Sequence, residues 1–112
     1  MKKLDAQEHK TLALRAAKCA ELVLPLFEDK YPKDKRPRKA IQALRVWTRG
    51  GMKVGEVRKA ALASHAAARK ANNPAAKAAA RAAGHAAATA HVAGHARHAY
   101  AYAASAANAR KK

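Results

Sequence analysis

The chain has 112 residues, half of them hydrophobic and most of those alanine, and its 24 Lys and Arg against seven Asp and Glu give a formal net charge of +17. This length suits one domain, and we expect residues 1–112 to form a single helical domain with 110–112 as a basic tail. So large a positive charge favours polyanions or acidic protein surfaces as partners.

Several classes of protein are disfavoured by the same sequence. Cys19 is the only cysteine, so no internal disulfide can form. The alanine-rich part has no run of about 20 uncharged apolar residues, so no membrane span is expected. There is no GxSxG, GxGxxG or P-loop motif. We therefore expect a cytoplasmic protein that is not an enzyme and has no cofactor.

Two helices are predicted in the first half of the chain. Asp5 and Glu8 have the spacing of a capping box, which predicts a helix over about 5–28. Pro37 near its start and Gly50-Gly51 after its end predict a second helix over about 37–49. Large apolar residues are concentrated before residue 63, so this half should supply most of the packing energy.

The sequence of the second half of the chain predicts two further helices. One runs over about 54–72 and ends at Asn72-Asn73-Pro74, and a long alanine-rich one follows over about 74–108. Alanine and glycine surfaces allow helix axes to approach closely. We therefore predict an all-α bundle of four principal helices, in which the early leucines pack against a slim alanine rod.

The densest positive region begins in the segment before the second helix and continues along one face of that helix. Few acids are present to neutralise it, so it is the predicted partner-binding stripe, although an exposed charge run is usually only solvated. Its members are Lys33, Lys35, Arg36, Arg38, Lys39, Arg45 and Arg49. Lys77 and Arg81, one helical turn apart, form a secondary candidate contact for polyanions.

Histidines form the other unusual pattern. On one continuous helix His91, His95 and His98 would share a stripe with Tyr102. His91 and His95 have the i,i+4 spacing of zinc ligands, but "HVAGH" lacks the glutamate of HExxH, so metal is the weakest interpretation. Stacking on nucleic-acid bases is a second interpretation. The favoured one is that the imidazoles are packing residues whose polar tips are hydrogen-bonded.

Four blocks together resemble a known family: "LALRAAKCAELVLPLFE", "RPRKAIQALRVWTRG", "VGEVRKAALASHAAARKA" and "AARAAGHAAATAHVAGHARHAYAYA". They are similar to a small alanine-rich helical family of bacterial and archaeal immunity proteins from polymorphic-toxin systems. The resemblance implies a protein that binds and blocks a toxin without catalysis, and it carries no catalytic residue to this chain.

The net charge of +17 limits which kind of toxin the chain could block. An inhibitor of a nuclease is typically acidic, to match a basic active-site surface. A chain of charge +17 therefore needs an acidic protein target, or it binds a polyanion. The favoured hypothesis is a toxin-neutralising binding protein, and the alternative is a basic protein that binds nucleic acid or the ribosome through the same residues.

Overall fold

The computed structural model describes residues 4–111 and contains, within that range, five α-helices and no strand. The helices are α1 (Ala6–Glu28), α2 (Arg36–Thr48), α3 (Val54–Lys70), α4 (Pro74–Ala88) and α5 (His95–Arg110). The all-α class and the first three helices are as predicted. The single long helix expected over 74–108 is instead two helices. Of the expected basic tail, Arg110 ends α5, Lys111 is its C-cap, and Lys112 lies outside the described residues.

The helix ends follow local chemistry. The Asp5 carboxylate accepts from the backbone N of Glu8 at 2.8 Å, and the Glu8 side chain accepts from the backbone N of Asp5 at 3.2 Å, which completes the capping box. Gly50, with φ at +77°, ends α2 in the left-handed conformation that favours glycine. At α4 the Asn73 side chain accepts from the backbone N of Ala76 at 2.9 Å.

The long alanine segment breaks over residues 89–94. Thr89 and Val92 are β-branched and Gly94 is a poor helix former, so helix propensity falls there. Nε2 of His9 in α1 also donates to the carbonyl oxygen of Thr89 at 2.5 Å, which occupies an acceptor that a continuing helix would use. A straight helix over 74–108 would be about 52 Å long, whereas the longest extent of the molecule is 40 Å. Folding back lets α5 pack against α4.

Helix α4 is the centre of the bundle and contacts each of the other four helices. Ten of its 15 residues are buried, and all ten are alanine or glycine. Around it α5, α1, α2 and α3 follow one another, with contacts between α5 and α1, α1 and α2, and α2 and α3. Within the described chain α3 and α5 do not contact each other at the backbone level, so the ring of helices has one gap.

Large side chains contribute to the core from α1, α2 and α3. Phe27, Leu44 and Val57 are the bulkiest fully buried apolar residues. The expectation that the early apolar residues are mainly core is only partly met, because Leu22 is 75% exposed and Leu62 is 59% exposed. The central helix leaves little apolar area to pack against, so these leucines remain on the surface.

None of the helices within residues 4–111 has both the length and the apolar character that crossing a bilayer requires.

Candidate partner-binding surface

Two arginines of the predicted basic stripe are held by glutamates of the neighbouring helix. The Arg38 guanidinium donates to both carboxylate oxygens of Glu28, at 2.7 Å from Nε and 2.6 Å from Nη2. Arg45 donates in the same two-fold manner to Glu21, at 3.0 and 2.5 Å. Such paired donation fixes the orientation of a guanidinium as well as its position.

These two ion pairs form a ladder between α1 and α2. Glu21 and Glu28 are seven residues apart on α1, and Arg38 and Arg45 are seven residues apart on α2 in the reverse order. Seven residues are close to two turns, so both pairs lie on one side of an antiparallel helix pair. The Arg38 guanidinium lowers the pKa of the Glu28 carboxyl, and the Glu21 carboxylate raises the pKa of Arg45. The ladder is therefore matched to the antiparallel register of the two helices.

A third ion pair lies at the start of α2. The Asp34 carboxylate accepts from Nε of Arg36 at 2.9 Å, from its Nη2 at 2.7 Å and from its backbone N at 3.1 Å. The hydrogen bond from the Arg36 side chain is the main reason that the pKa of Asp34 is lowered. Asp34, which precedes the N-cap Lys35, thus both orders the Arg36 side chain and accepts one of the free backbone N–H groups at the start of α2.

The other four members of the stripe are exposed and have no ion pair within residues 4–111. We call the whole set of seven the basic surface. Three of its four arginines (Arg36, Arg38 and Arg45) are positioned by acids. Its unpaired positive charge comes from the other four members: Lys33, Lys35, Lys39 and Arg49.

The secondary candidate residues lie on α4. Lys77 is exposed in its first turn, and Arg81, one turn later, is half-buried. Arg81 lies close enough to His65 and His85 to lower the pKa of both imidazoles. Arg81 therefore borders a histidine cluster and is not an isolated surface cation.

That histidine cluster fills the gap between α3 and α5. His85 of α4 stacks on Tyr102 with ring centroids 5.3 Å apart, and its ring lies 4.7 Å from that of His65. Its Nδ1 is 3.0 Å from Nδ1 of His95, a hydrogen-bond distance. One of these two nitrogens therefore carries the proton and donates it to the other. The centroid of His98 lies 5.1 Å from that of His85. We call His65, His85, His95, His98 and Tyr102 the histidine cluster.

The cluster favours neutral imidazoles. Burial, with smaller contributions from neighbouring cations, lowers the pKa of both His65 and His85 to about 4. Burial also lowers the pKa of His95. Nδ1 of His65 is buried and has no hydrogen-bond partner among the described residues. The packing interpretation is therefore met only in part. His65, His85 and His95 are half-buried, but His91 and His98 are exposed, and the buried Nδ1 of His65 lacks the expected hydrogen bond among the described residues.

The single stripe of His91, His95 and His98 is wrong, because the chain turns between α4 and α5. His91 lies exposed in that turn, while His65 and His85 join His95 and His98 from other helices. Within residues 4–111 no three His, Cys, Asp or Glu side chains have an arrangement that could hold a metal ion. The pair His91 and His95 thus gains no third ligand.

The glutamate partners of Arg38 and Arg45 were missed by the sequence analysis. Their signal was present as equal seven-residue spacings of acids on α1 and of arginines on α2. It becomes readable only when the two helices are known to be antiparallel neighbours.

Comparison with known proteins assigns the family. The family described as "Imm-5 like putative immunity protein" matches residues 2–112, nearly the whole chain. The chain belongs to this family. No curated protein and no solved structure matches the chain. Family membership points to a protein as the kind of partner that this chain binds, and the family name carries no residue-level assignment.

Proposed function

We propose that this protein neutralises a toxin by direct, stoichiometric protein–protein contact, without catalysis, and that the basic surface is the contact region. The observation that carries the proposal is the combination of fixed and unpaired cations on one surface. Arg38 and Arg45 are held in place by Glu28 and Glu21 before any partner arrives. Pre-ordered side chains lose less conformational entropy on binding.

The charge of the surface specifies the target. Four exposed cations without ion pairs within residues 4–111 accompany the ordered guanidiniums on α2 and in the segment before it, so the complementary surface should carry carboxylates. Arginines are enriched at interface hot spots, and Arg49, which has no ion pair within residues 4–111, has a planar fork that can bind a partner carboxylate at two points. An acidic patch beside the active site of a toxin, or on the face that the toxin uses to enter its own target, has the chemistry required.

The test captures the partner with the whole chain and with two matched variants. The first variant changes Lys33, Lys35, Lys39 and Arg49 to Gln. The control changes the same number of exposed cations on α3 to Gln, so both variants lose equal charge. The control residues are Arg58, Lys59, Arg69 and Lys70.

We expect the wild type and the control to retain one protein from nuclease-treated lysate of the native host at equimolar ratio, and the first variant to lose it. Expression of the captured protein should stop cell growth, and co-expression of the wild type should restore it. Equal retention by both variants, or a captured protein that has no effect on growth, would contradict the proposal.

A second candidate function is non-specific binding of nucleic acid. The observation in its favour is that residues 57–112 contain ten Lys or Arg and no acid. Lys77 and Arg81 lie within that half. Binding of this kind weakens linearly on a logarithmic salt scale, with a slope of about −0.9 for each DNA phosphate neutralised. Salt titrations with duplex DNA and RNA measure that slope. Tight binding at physiological salt that survives competition by the captured protein would favour this second function.

A further inference from the structure

A second surface, remote from α2, lies between α1 and α5. A groove of about 500 Å³ runs along these helices, with Leu22, Pro25 and Leu26 on the α1 side and Tyr100 on the α5 side. Leu22 is the most exposed of the large apolar side chains described, at 75%. Within residues 4–111 α2 and α5 do not contact each other, so this groove is separate from the basic surface.

The groove continues toward the beginning of α1. A neighbouring depression of about 380 Å³ shares Cys19, Leu22 and Tyr100 with it and is bounded by Arg15 and Lys18. From Arg15 to Leu26 the helix advances by about 16 Å, roughly three helical turns. The apolar strip therefore has the length and concave shape that one face of a short α-helix fills.

Cations stand at both ends of this strip. Arg15 and Lys18 border one end, and Arg110 lines the other. Asp29 is the carboxylate nearest the Arg110 end, where it lines an adjoining depression together with Lys30. The acid Glu21 is engaged with Arg45. The rim is thus predominantly positive around an apolar centre.

We propose that the α1/α5 groove is a docking site for an amphipathic helix of a partner protein, with apolar residues on one face and acidic residues along its flanks. Leu22 and Leu26, one turn apart, and the Tyr100 ring contact the apolar face. Arg15, Lys18 and Arg110 contact the acids. A second copy of this chain is a poor occupant, because it would bring two positive rims together in molecules of net charge +17.

The probe is a synthetic fluorescent peptide of about 15 residues, enough to span three turns with fraying ends, with leucines on one helical face and glutamates elsewhere. Because this probe needs no toxin, its result is independent of the capture experiment. We expect saturable one-to-one binding to the full chain with a Kd of about 100 μM or tighter, measured by fluorescence anisotropy. A scrambled peptide of the same composition should bind far more weakly.

Two matched variants locate the site. Leu22→Ser should weaken peptide binding by about tenfold or more, whereas Leu62→Ser on α3, also an exposed leucine, should leave it unchanged. Arg15→Gln with Lys18→Gln should weaken it and flatten its salt dependence. Circular dichroism establishes that each variant is folded.

Four results would overturn the proposal. They are no saturable binding to the wild type, equal binding of the scrambled peptide, equal loss in the two leucine variants, or preserved binding in Leu22→Ser. Two further experiments test other occupants of the groove: binding to anionic lipid vesicles, and sedimentation to detect a dimer. Leu22-dependent binding to vesicles that exceeds peptide binding would assign the groove to a membrane instead, and a Leu22-dependent dimer would assign it to a second copy.

Discussion

The His65 imidazole lies directly over the α-carbon of Gly84. A Cβ built at position 84 would approach Cε1 of His65 to 2.6 Å and its Nε2 to 2.7 Å, closer than real contacts allow. The His65 ring cannot move away freely, because the ring of His85 packs against it at 4.7 Å. Gly84 therefore makes room on α4 for the His65 ring of the histidine cluster.

Gly84→Ala should destabilise the protein even though alanine is the better helix former. The overpacking cost is about 1–3 kcal/mol and the gain in helix propensity is about 1 kcal/mol. We therefore expect the free energy of unfolding in urea to fall by up to about 2 kcal/mol. Gly55→Ala is the matched control, because nothing lies within 4 Å of its added Cβ, and it should be neutral or stabilising. A Gly84→Ala protein as stable as Gly55→Ala would show that the ring yields easily.

Stability should fall as the pH is lowered from about 6.5 to 4. In the unfolded chain His65 and His85 protonate near pH 6.5, but in the folded protein the pKa of each is about 4. Between these values the unfolded state binds more protons, so acidification favours unfolding. The loss should amount to about 1–3 kcal/mol for each imidazole by the lower end of this range.

Urea titrations at several pH values measure that loss. His85→Gln should flatten the dependence between pH 6.5 and 4. Protonation of carboxylates cannot account for a loss of stability in the upper part of the range from pH 6.5 to 4. Protonation of Glu28 and Asp34 in the unfolded chain begins only near their ordinary pKa values of 4.5 and 3.8. A flat profile above pH 5 in the wild type would contradict the assigned burial of the imidazoles.

Swapping the two residues of the Glu21–Arg45 ion pair should separate its effect on stability from its effect on binding of the partner protein. Charge reversal by Arg45→Glu alone places two carboxylates together, and the double variant Glu21→Arg with Arg45→Glu restores the pair. Because exposed ion pairs contribute about 0–1 kcal/mol, all changes in stability should be small. The double variant should regain stability and still bind the captured partner less tightly, because the guanidinium has moved to α1. Full binding by the double variant would show that Arg45 serves the helix register alone.

His9→Phe should loosen the end of α4. Phenylalanine keeps an aromatic ring against Trp47, whose centroid lies 5.2 Å from that of His9, but cannot donate to the carbonyl oxygen of Thr89. We expect a loss of about 1 kcal/mol and faster amide hydrogen exchange around residues 89–94. Lys10→Gln, the neighbouring position on α1, is the control and should leave the exchange rates there unchanged.

Local signals predicted most of the helix ends, and distant contacts account for the main error. Capping by Asp5 and Glu8, the glycine after α2 and Pro74 are short-range features, so they could be read directly from the sequence. The break at 89–94 depends partly on a hydrogen bond from His9, eighty residues away in the chain. A run of alanines favours helix almost everywhere, so periodicity gave no indication of where the helix should turn.

The sequence predicted which residues belong to the candidate basic surface, but not which side chains they contact. The exposed positions of the basic surface could be read from the helical pattern of α2. The glutamate ladder could not, because it requires the register of α1 against α2. The histidine cluster could not be predicted for a similar reason, since His65 of α3 and His85 of α4 join the three rings of α5 only after the chain folds back.

The buried residues of helix α4 are all alanine or glycine, and the neighbouring helices leave little space for larger side chains there. This limits which positions of the fold can be substituted. At Gly84 an added Cβ would meet the His65 ring at 2.6 Å, and overpacking of that kind costs about 1–3 kcal/mol. The outward positions of α1, α2 and α3 carry no such penalty. Outer residues can therefore be exchanged without disturbing the core, whereas the buried positions of α4 accept little beyond alanine and glycine.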